Sequence, residues 1–127
     1  MNNPVGWFEI YVEDMARAKA FYTHVLQVQL ERVSEAEAST PGLDMWAFPM
    51  ASSGRGAAGA LVRMEGVTPA GNGVLVYFNC DDCAQEAGRV AVGGGQVLKE
   101  KFSIGEYGHI AIVRDTEGNV IGLHSMQ

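Results

Sequence analysis

The feature that most constrains this chain is that it repeats itself. Shifting the sequence by 68 positions lays Val12-Glu13-Asp14 over Cys80-Asp81-Asp82, Ile10 over Phe78 and Leu30 over Leu98. Identity across the shift is low, and the order of elements carries the comparison. In the first half, residues 5–12 alternate as a strand, a helical spacing of Met15, Ala18, Phe21, Tyr22 and Val25 follows the N-cap candidate Asp14, and strand-like segments lie near 28–34, 43–48 and 57–64. The second half begins with GVLVYFNC at 73–80 and continues with a helix capped by Asp82 that runs to the GGG at 93–95. It ends with strands near 96–102, 108–113 and 119–124, the last two flanking the turn sequence DTEGN. Strand-helix-strand-strand-strand occurs twice, which predicts two copies of one module.

Each copy has about 60 residues, too few to cover both faces of a four-stranded sheet with one helix. One face of each sheet must find another partner or enclose something. The 127 residues, 47% of them hydrophobic, suffice for one domain with a core. A formal net charge of −6 argues against a nucleic-acid binder, which needs a basic face to neutralise phosphates. No apolar run reaches the length of a membrane span, and MNNPVGWF lacks the basic and apolar regions of a signal peptide, so a cytoplasmic protein with no membrane partner is expected.

The pieces of the repeat also carry a family resemblance. They are the opening strand ending in a V-x-D turn, the helix RAKAFYTHVL, the strand YFNCDD, the GG before QVL and the closing DTEGNVIGL. In order and spacing they resemble the vicinal oxygen chelate superfamily, also called the glyoxalase, bleomycin-resistance and extradiol dioxygenase superfamily. The resemblance implies an α+β fold: a single domain over 1–127 of two βαβββ modules, about 4–66 and 72–127, whose curved mixed sheets surround a cleft, commonly in a homodimer.

Enzymes of that superfamily hold a divalent metal with His or Glu ligands on the first and last strands of each module. Carried onto this chain, those positions fall on Trp7, Leu75, Gly122 and either Gly59 or Ala60. None is a donor for Zn, Mn or Fe, so no metal site and no cofactor is expected, and metal-dependent isomerisation or dioxygenation loses its Lewis acid.

Strand alternation assigns the cleft instead. If Trp7 points inward, Glu9 and Tyr11 share its face, and in the second module Leu75, Tyr77 and Asn79 do the same while Val74, Val76 and Phe78 lie under the helix. Gly122 and His124 face inward on the closing strand together with Val120, and Trp46 joins them if its strand presents the indole inward. Glu9, in an otherwise apolar strand, is then either a structural carboxylate, a group that orients a ligand, or a catalytic acid or base. His124 is the histidine placed near it; His24 belongs to an exposed helix face, and His109 to a pair or a rim.

Other motifs point to structure. Cys80 and Cys83 form a C-x-x-C, but Asp81 and Asp82 between them raise thiol pKa values, and no second cysteine pair completes a zinc site. GRGAAG at 54–59 lacks the lysine and hydroxyl of a phosphate loop and is expected to connect two strands. LKEKFSIGEYG at 98–108 is either a lid or, by preference, a strand connection, and SEAEAS at 34–39 a solvated loop.

The functional expectation is a small-molecule-binding protein of the bleomycin-resistance kind, with an aromatic cleft around Glu9 and a partly aromatic or cationic ligand. The alternatives are a metal-dependent lyase, isomerase or dioxygenase using Glu9 and His124, a metal-free isomerase with Glu9 as base, and a subunit that offers an apolar surface to a partner protein.

Overall fold

The structure is a computed structural model that describes residues 3–67 and 73–127. The junction expected near residue 72 lies outside the described residues. Two compact units emerge: Trp7–Val74, and Leu75–Gln127 together with the described residues up to Gly6.

The first unit follows the expected order with one addition. Strand β1 (Val5–Tyr11) leads to helix α1 (Met15–Leu26), a two-residue strand β2 (Glu31–Arg32), a short helix α2 (Ser34–Ser39), and strands β3 (Leu43–Ala47) and β4 (Ala58–Met64). The sheet order is β2-β3-β4-β1, with β4 parallel to β1 and the other pairs antiparallel. Asp14 caps α1 by accepting the Arg17 N–H at 3.0 Å, and Gln27 ends it in the left-handed region at φ 54°. Tyr22 meets Phe48 edge-on at 5.7 Å, and Phe48 meets Phe8 at 5.8 Å, so this aromatic group fastens α1 to one face of the sheet.

Two expectations are corrected here. The strand expected near 28–34 shrinks to Glu31–Arg32, and SEAEAS is a helix rather than a loop. Glu35 and Glu37 stand in its first turn, where the helix dipole favours acids. Arg32 meets Glu37 through Nε at 3.0 Å and Nη2 at 2.6 Å, which fixes the turn where β2 stops.

The second unit repeats the plan. Strand β5 (Val74–Asn79) leads to α3 (Cys83–Val90), β6 (Gln96–Ser103), a 3-10 turn (Gly105–Tyr107), β7 (His109–Arg114) and β8 (Val120–Ser125). Its order, β5-β8-β7-β6, again sets the last strand parallel to the first. Helix α3 ends at Val90, before the GGG stretch, and residues 98–108 form a strand and a turn, the connection preferred over a lid. Asp82 Oδ1 caps α3 through the Ala84 N–H at 3.0 Å and takes the Lys101 ammonium at 2.8 Å. Behind that cap Cys83 and Ala87 pack on Ala111, Val113 and Leu123. No helix among the described residues is long and apolar enough to cross a membrane.

Candidate functional site

The face of the first sheet that carries Glu9 is built by register. Trp7, Glu9 and Tyr11 alternate onto it, opposite Ala58, Ala60 and Val62 of β4. On β3, Ala47 lies opposite Ala60, and Met45 opposite Val62. Ala60 and Val62 are fully buried, and Val33, Leu43, Met45 and Met64 pack around them. Ala60 beside it on β4 and Ala47 one strand further on β3 are small, and the carboxylate is only 8% exposed.

Burying that carboxylate in apolar surroundings is costly, and its neighbours along the strand offset the cost. The Trp7 Nε1–H donates to Glu9 Oε2 at 3.2 Å, and the Tyr11 hydroxyl donates to Oε1 at 2.8 Å. Strand spacing makes this possible, because residues two apart stand side by side on one face. Burial first, then the adjacent Glu9 charge and hydrogen bond, push the Tyr11 phenol far above its ordinary range. Tyr11 therefore stays a donor at physiological pH and holds Glu9 in place.

In the second unit, Tyr77 lies opposite Gly122 and Asn79 opposite His124. Tyr77 is buried, and its ring fills the space a Cβ on Gly122 would occupy. His124 Nε2 lies 2.6 Å from the Tyr107 carbonyl, an acceptor, so this ring nitrogen carries the proton. Leu75 is half-buried on the same strand face as Tyr77, while Asn79 is exposed with its amide against Gly6. Val120 sits on the Gly122 face, 38% exposed.

Trp46 does not join the Glu9 face. Its strand presents Met45 and Ala47 there and turns the indole to the α1 side, where the Lys19 ammonium lies 3.3 Å from the ring centroid. The indole N–H donates to Asp44 Oδ1 at 3.0 Å. Trp7, Glu9 and Tyr11 thus come together in one unit, Leu75, Tyr77, Gly122 and His124 share a face in the other, and Trp46 stands apart. Sequence reasoning does not find the floor of Ala47, Ala60 and Val62; only the period of two in AGALV sets Ala60 and Val62 on one face, and Ala47 joins them through the pairing of β3 with β4.

The positions that the resemblance assigns to metal ligands do not fit a metal. Trp7 spends its only polar atom on Glu9, and Leu75 has none. A side chain at Gly122 would run into the Tyr77 ring, and one at Gly59 into the Phe8 ring and carbonyl. Among the described residues no three His, Cys, Asp or Glu side chains are grouped to hold an ion.

The cysteines are equally unsuited to chemistry. Burial, reinforced by Glu86, pushes the Cys80 thiol up to about 11, and Cys83 is fully buried with its N–H donating to Ser125 Oγ at 3.0 Å. Two depressions of about 380 and 520 Å³ flank α1, the larger lined by Lys19, Thr23, His24 and Trp46; Glu9 lines neither.

Comparison with known proteins agrees with this fold. A protein of Mycobacterium tuberculosis (strain CDC 1551 / Oshkosh) named CFP32, described provisionally as a glyoxylase, is 29% identical over 123 residues; its Mycobacterium bovis counterpart matches equally. The match covers 93% of this chain and 44% of theirs, so the chain spans less than half the length of these curated relatives. A Bacillus halodurans protein, BH1468, is similar in structure with a TM-score of 0.69 at 12% identity, covering 97% of this chain and 94% of that one. Methylmalonyl-CoA epimerase from Mycobacterium tuberculosis gives 0.66 at 17% identity, covering 98% and 88%. A variant of the Streptomyces coelicolor methylmalonyl-CoA epimerase, in complex with 2-nitronate-propionyl-CoA, gives 0.63 at 19%, covering 96% of each chain. At these identities the structural likenesses establish the fold alone. Residues 5–123 match the sequence model of one family, and the chain belongs to it: the Glyoxalase/Bleomycin resistance protein/Dioxygenase superfamily.

Proposed function

We propose that this member of the superfamily binds a small, partly aromatic or cationic organic molecule on the Glu9 face of its first module, and does so without a divalent metal or other cofactor. The observation that carries the reading is a carboxylate, 8% exposed, set among apolar side chains and held at both oxygens by Trp7 and Tyr11. Binding sites are mostly apolar with a few placed polar groups, and Glu9 is such a group. Donors at both oxygens fix the orientation of the carboxylate, which suits a ligand-orienting group. The mismatch of Gly59, Leu75 and Gly122 with metal-ligand chemistry supports the metal-free part.

The same proposal takes the protein as a cytoplasmic homodimer without nucleic-acid or membrane partners. The superfamily resemblance supports the dimer, the acidic charge disfavours nucleic acid, and two free thiols suit a reducing compartment. The rival reading, a metal-dependent lyase, isomerase or dioxygenase using Glu9 and His124, draws support from the glyoxylase description of CFP32. It is weakened by hydrogen bonds that already engage both Glu9 oxygens and His124 Nε2.

The test is a thermal-shift screen of aromatic and cationic small molecules on the wild type and Glu9→Gln. A concentration-dependent stabilisation that Glu9→Gln removes supports the site. Hits that stabilise both proteins equally place the ligand elsewhere and overturn it.

A further inference from the structure

On the Glu9 face, Glu9, Ala47, Ala60 and Val62 are buried, so a ligand needs a way in to them. We propose that Val33 and α2 form a gate to this face, latched by the Arg32–Glu37 ion pair. The inference rests on the reading of the Glu9 face as the binding site.

Rows of side chains across the sheet define the path. Tyr11, Val62 and Met45 form one row, and Val33 extends it, since its N–H donates to the Met45 carbonyl at 2.9 Å just past the end of β2. The adjacent row runs Glu9, Ala60, Ala47, Glu31. Two alanine methyls therefore separate the sheet edge from Glu9, and Val33 packs against that floor from the edge side.

The other residues packed on the floor are held firmly. Trp7 and Tyr11 are tied to Glu9, while Met45 lies inside a paired strand and Leu43 and Met64 form the terminal pair of β3 and β4. Val33 lies outside any strand and is followed by a six-residue helix with no buried residue and no side-chain cap. Short helices of this kind have little stability of their own. Besides the Val33 N–H bond to Met45, what fastens the segment is Glu37: its carboxylate takes Arg32 Nε and Nη2 and also accepts the Met45 N–H at 3.5 Å. The Arg32 side chain is 62% exposed and that of Glu37 13%, and an ion pair open to solvent on its arginine side is a weak hold that can release and reform. Releasing it leaves Val33 held by its single N–H bond to the Met45 carbonyl, and breaking that bond lets Val33 swing away from the floor while β3, β4 and β1 keep their ladder.

The test reads access to the floor without any ligand. Ala47→Cys, made together with Cys80→Ser, places a thiol on the floor, and its reaction with iodoacetamide is timed with the latch intact and with Glu37→Gln or Arg32→Gln. The expected result is labelling about fivefold faster when the latch is broken, the scale of an exposed ion pair. The charge-exchanged pair Arg32→Glu with Glu37→Arg should return the slow rate. Amide exchange in β4, unchanged across the series, shows that the variants remain folded. Faster exchange of the Met45 amide with unchanged labelling would overturn the gate and leave Glu37 as a cap on the sheet edge. Because no ligand enters this experiment, failure of the Glu9 binding screen and failure of the gate are separately visible.

Discussion

The ring of Tyr77 lies where a side chain on Gly122 would begin, across the parallel pairing of β5 with β8. Tyr77 stands in the second module where Glu9 stands in the first, 68 positions earlier, and Gly122 is its cross-strand neighbour as Ala60 is that of Glu9. One module thus fills the position with an aromatic ring over glycine, and the other with a carboxylate beside alanine. Gly122→Ala is expected to destabilise the protein by about 1–3 kcal/mol through overpacking, measured by urea unfolding. A neutral effect would mean that Tyr77 moves aside readily.

The carboxylate clamp gives a second expectation. Tyr11→Phe removes the donor to Glu9 Oε1 and should cost about 1–3 kcal/mol, because a buried acceptor loses a partner. Glu9→Gln should cost a comparable amount, about 1–3 kcal/mol, since one face of the amide meets a donor with a donor. Combining the two changes should cost less than their sum.

Alkaline pH should expose the same clamp. The Tyr11 phenol keeps its proton in the folded state at pH values where the unfolded chain releases it, so the folded state binds more protons there and stability falls as pH rises. The loss begins near the ordinary phenol value of 10.0. Cys80, pushed up from 9.0 to about 11, acts in the same direction and starts earlier. Unfolding between about pH 8 and 11 should therefore show a decline that Cys80→Ser reduces at its onset and Tyr11→Phe reduces at its upper end.

Metal content is the most direct check on the departure from the superfamily's usual ligand set. Elemental mass spectrometry of purified protein should find no stoichiometric Zn, Mn, Ni or Fe, and titration with these ions should leave the melting temperature unchanged. A stoichiometric metal, or a concentration-dependent rise in Tm, would overturn the metal-free reading.

Strand periodicity made much of this legible. The alternation of Trp7, Glu9 and Tyr11 against Phe8, Ile10 and Val12 placed Glu9 with its two donors, because the period of two is a local property of the chain. The caps at Asp14 and Asp82 were equally local. Trp46 was not legible, since the face it takes depends on the pairing of β3 with β4, and register is a tertiary fact. SEAEAS reads as a solvated loop because it is a charged run; what orders it is Arg32 outside the segment and the β3 edge beyond it.

The parallel pairing of first with last strand in each module also sets a demand on folding. Trp7 meets Ala58 and Tyr77 meets Gly122 only after the intervening helix and strands have been traversed, a separation of about fifty residues in the first module and about forty-five in the second. Hairpins such as β7 with β8 can close early, whereas these ladders carry a large loop-closure entropy and high contact order. The clamp around Glu9 spans β1 alone, but the alanine floor beside it forms only when β4 arrives, so the site is assembled among the last steps of its module's folding.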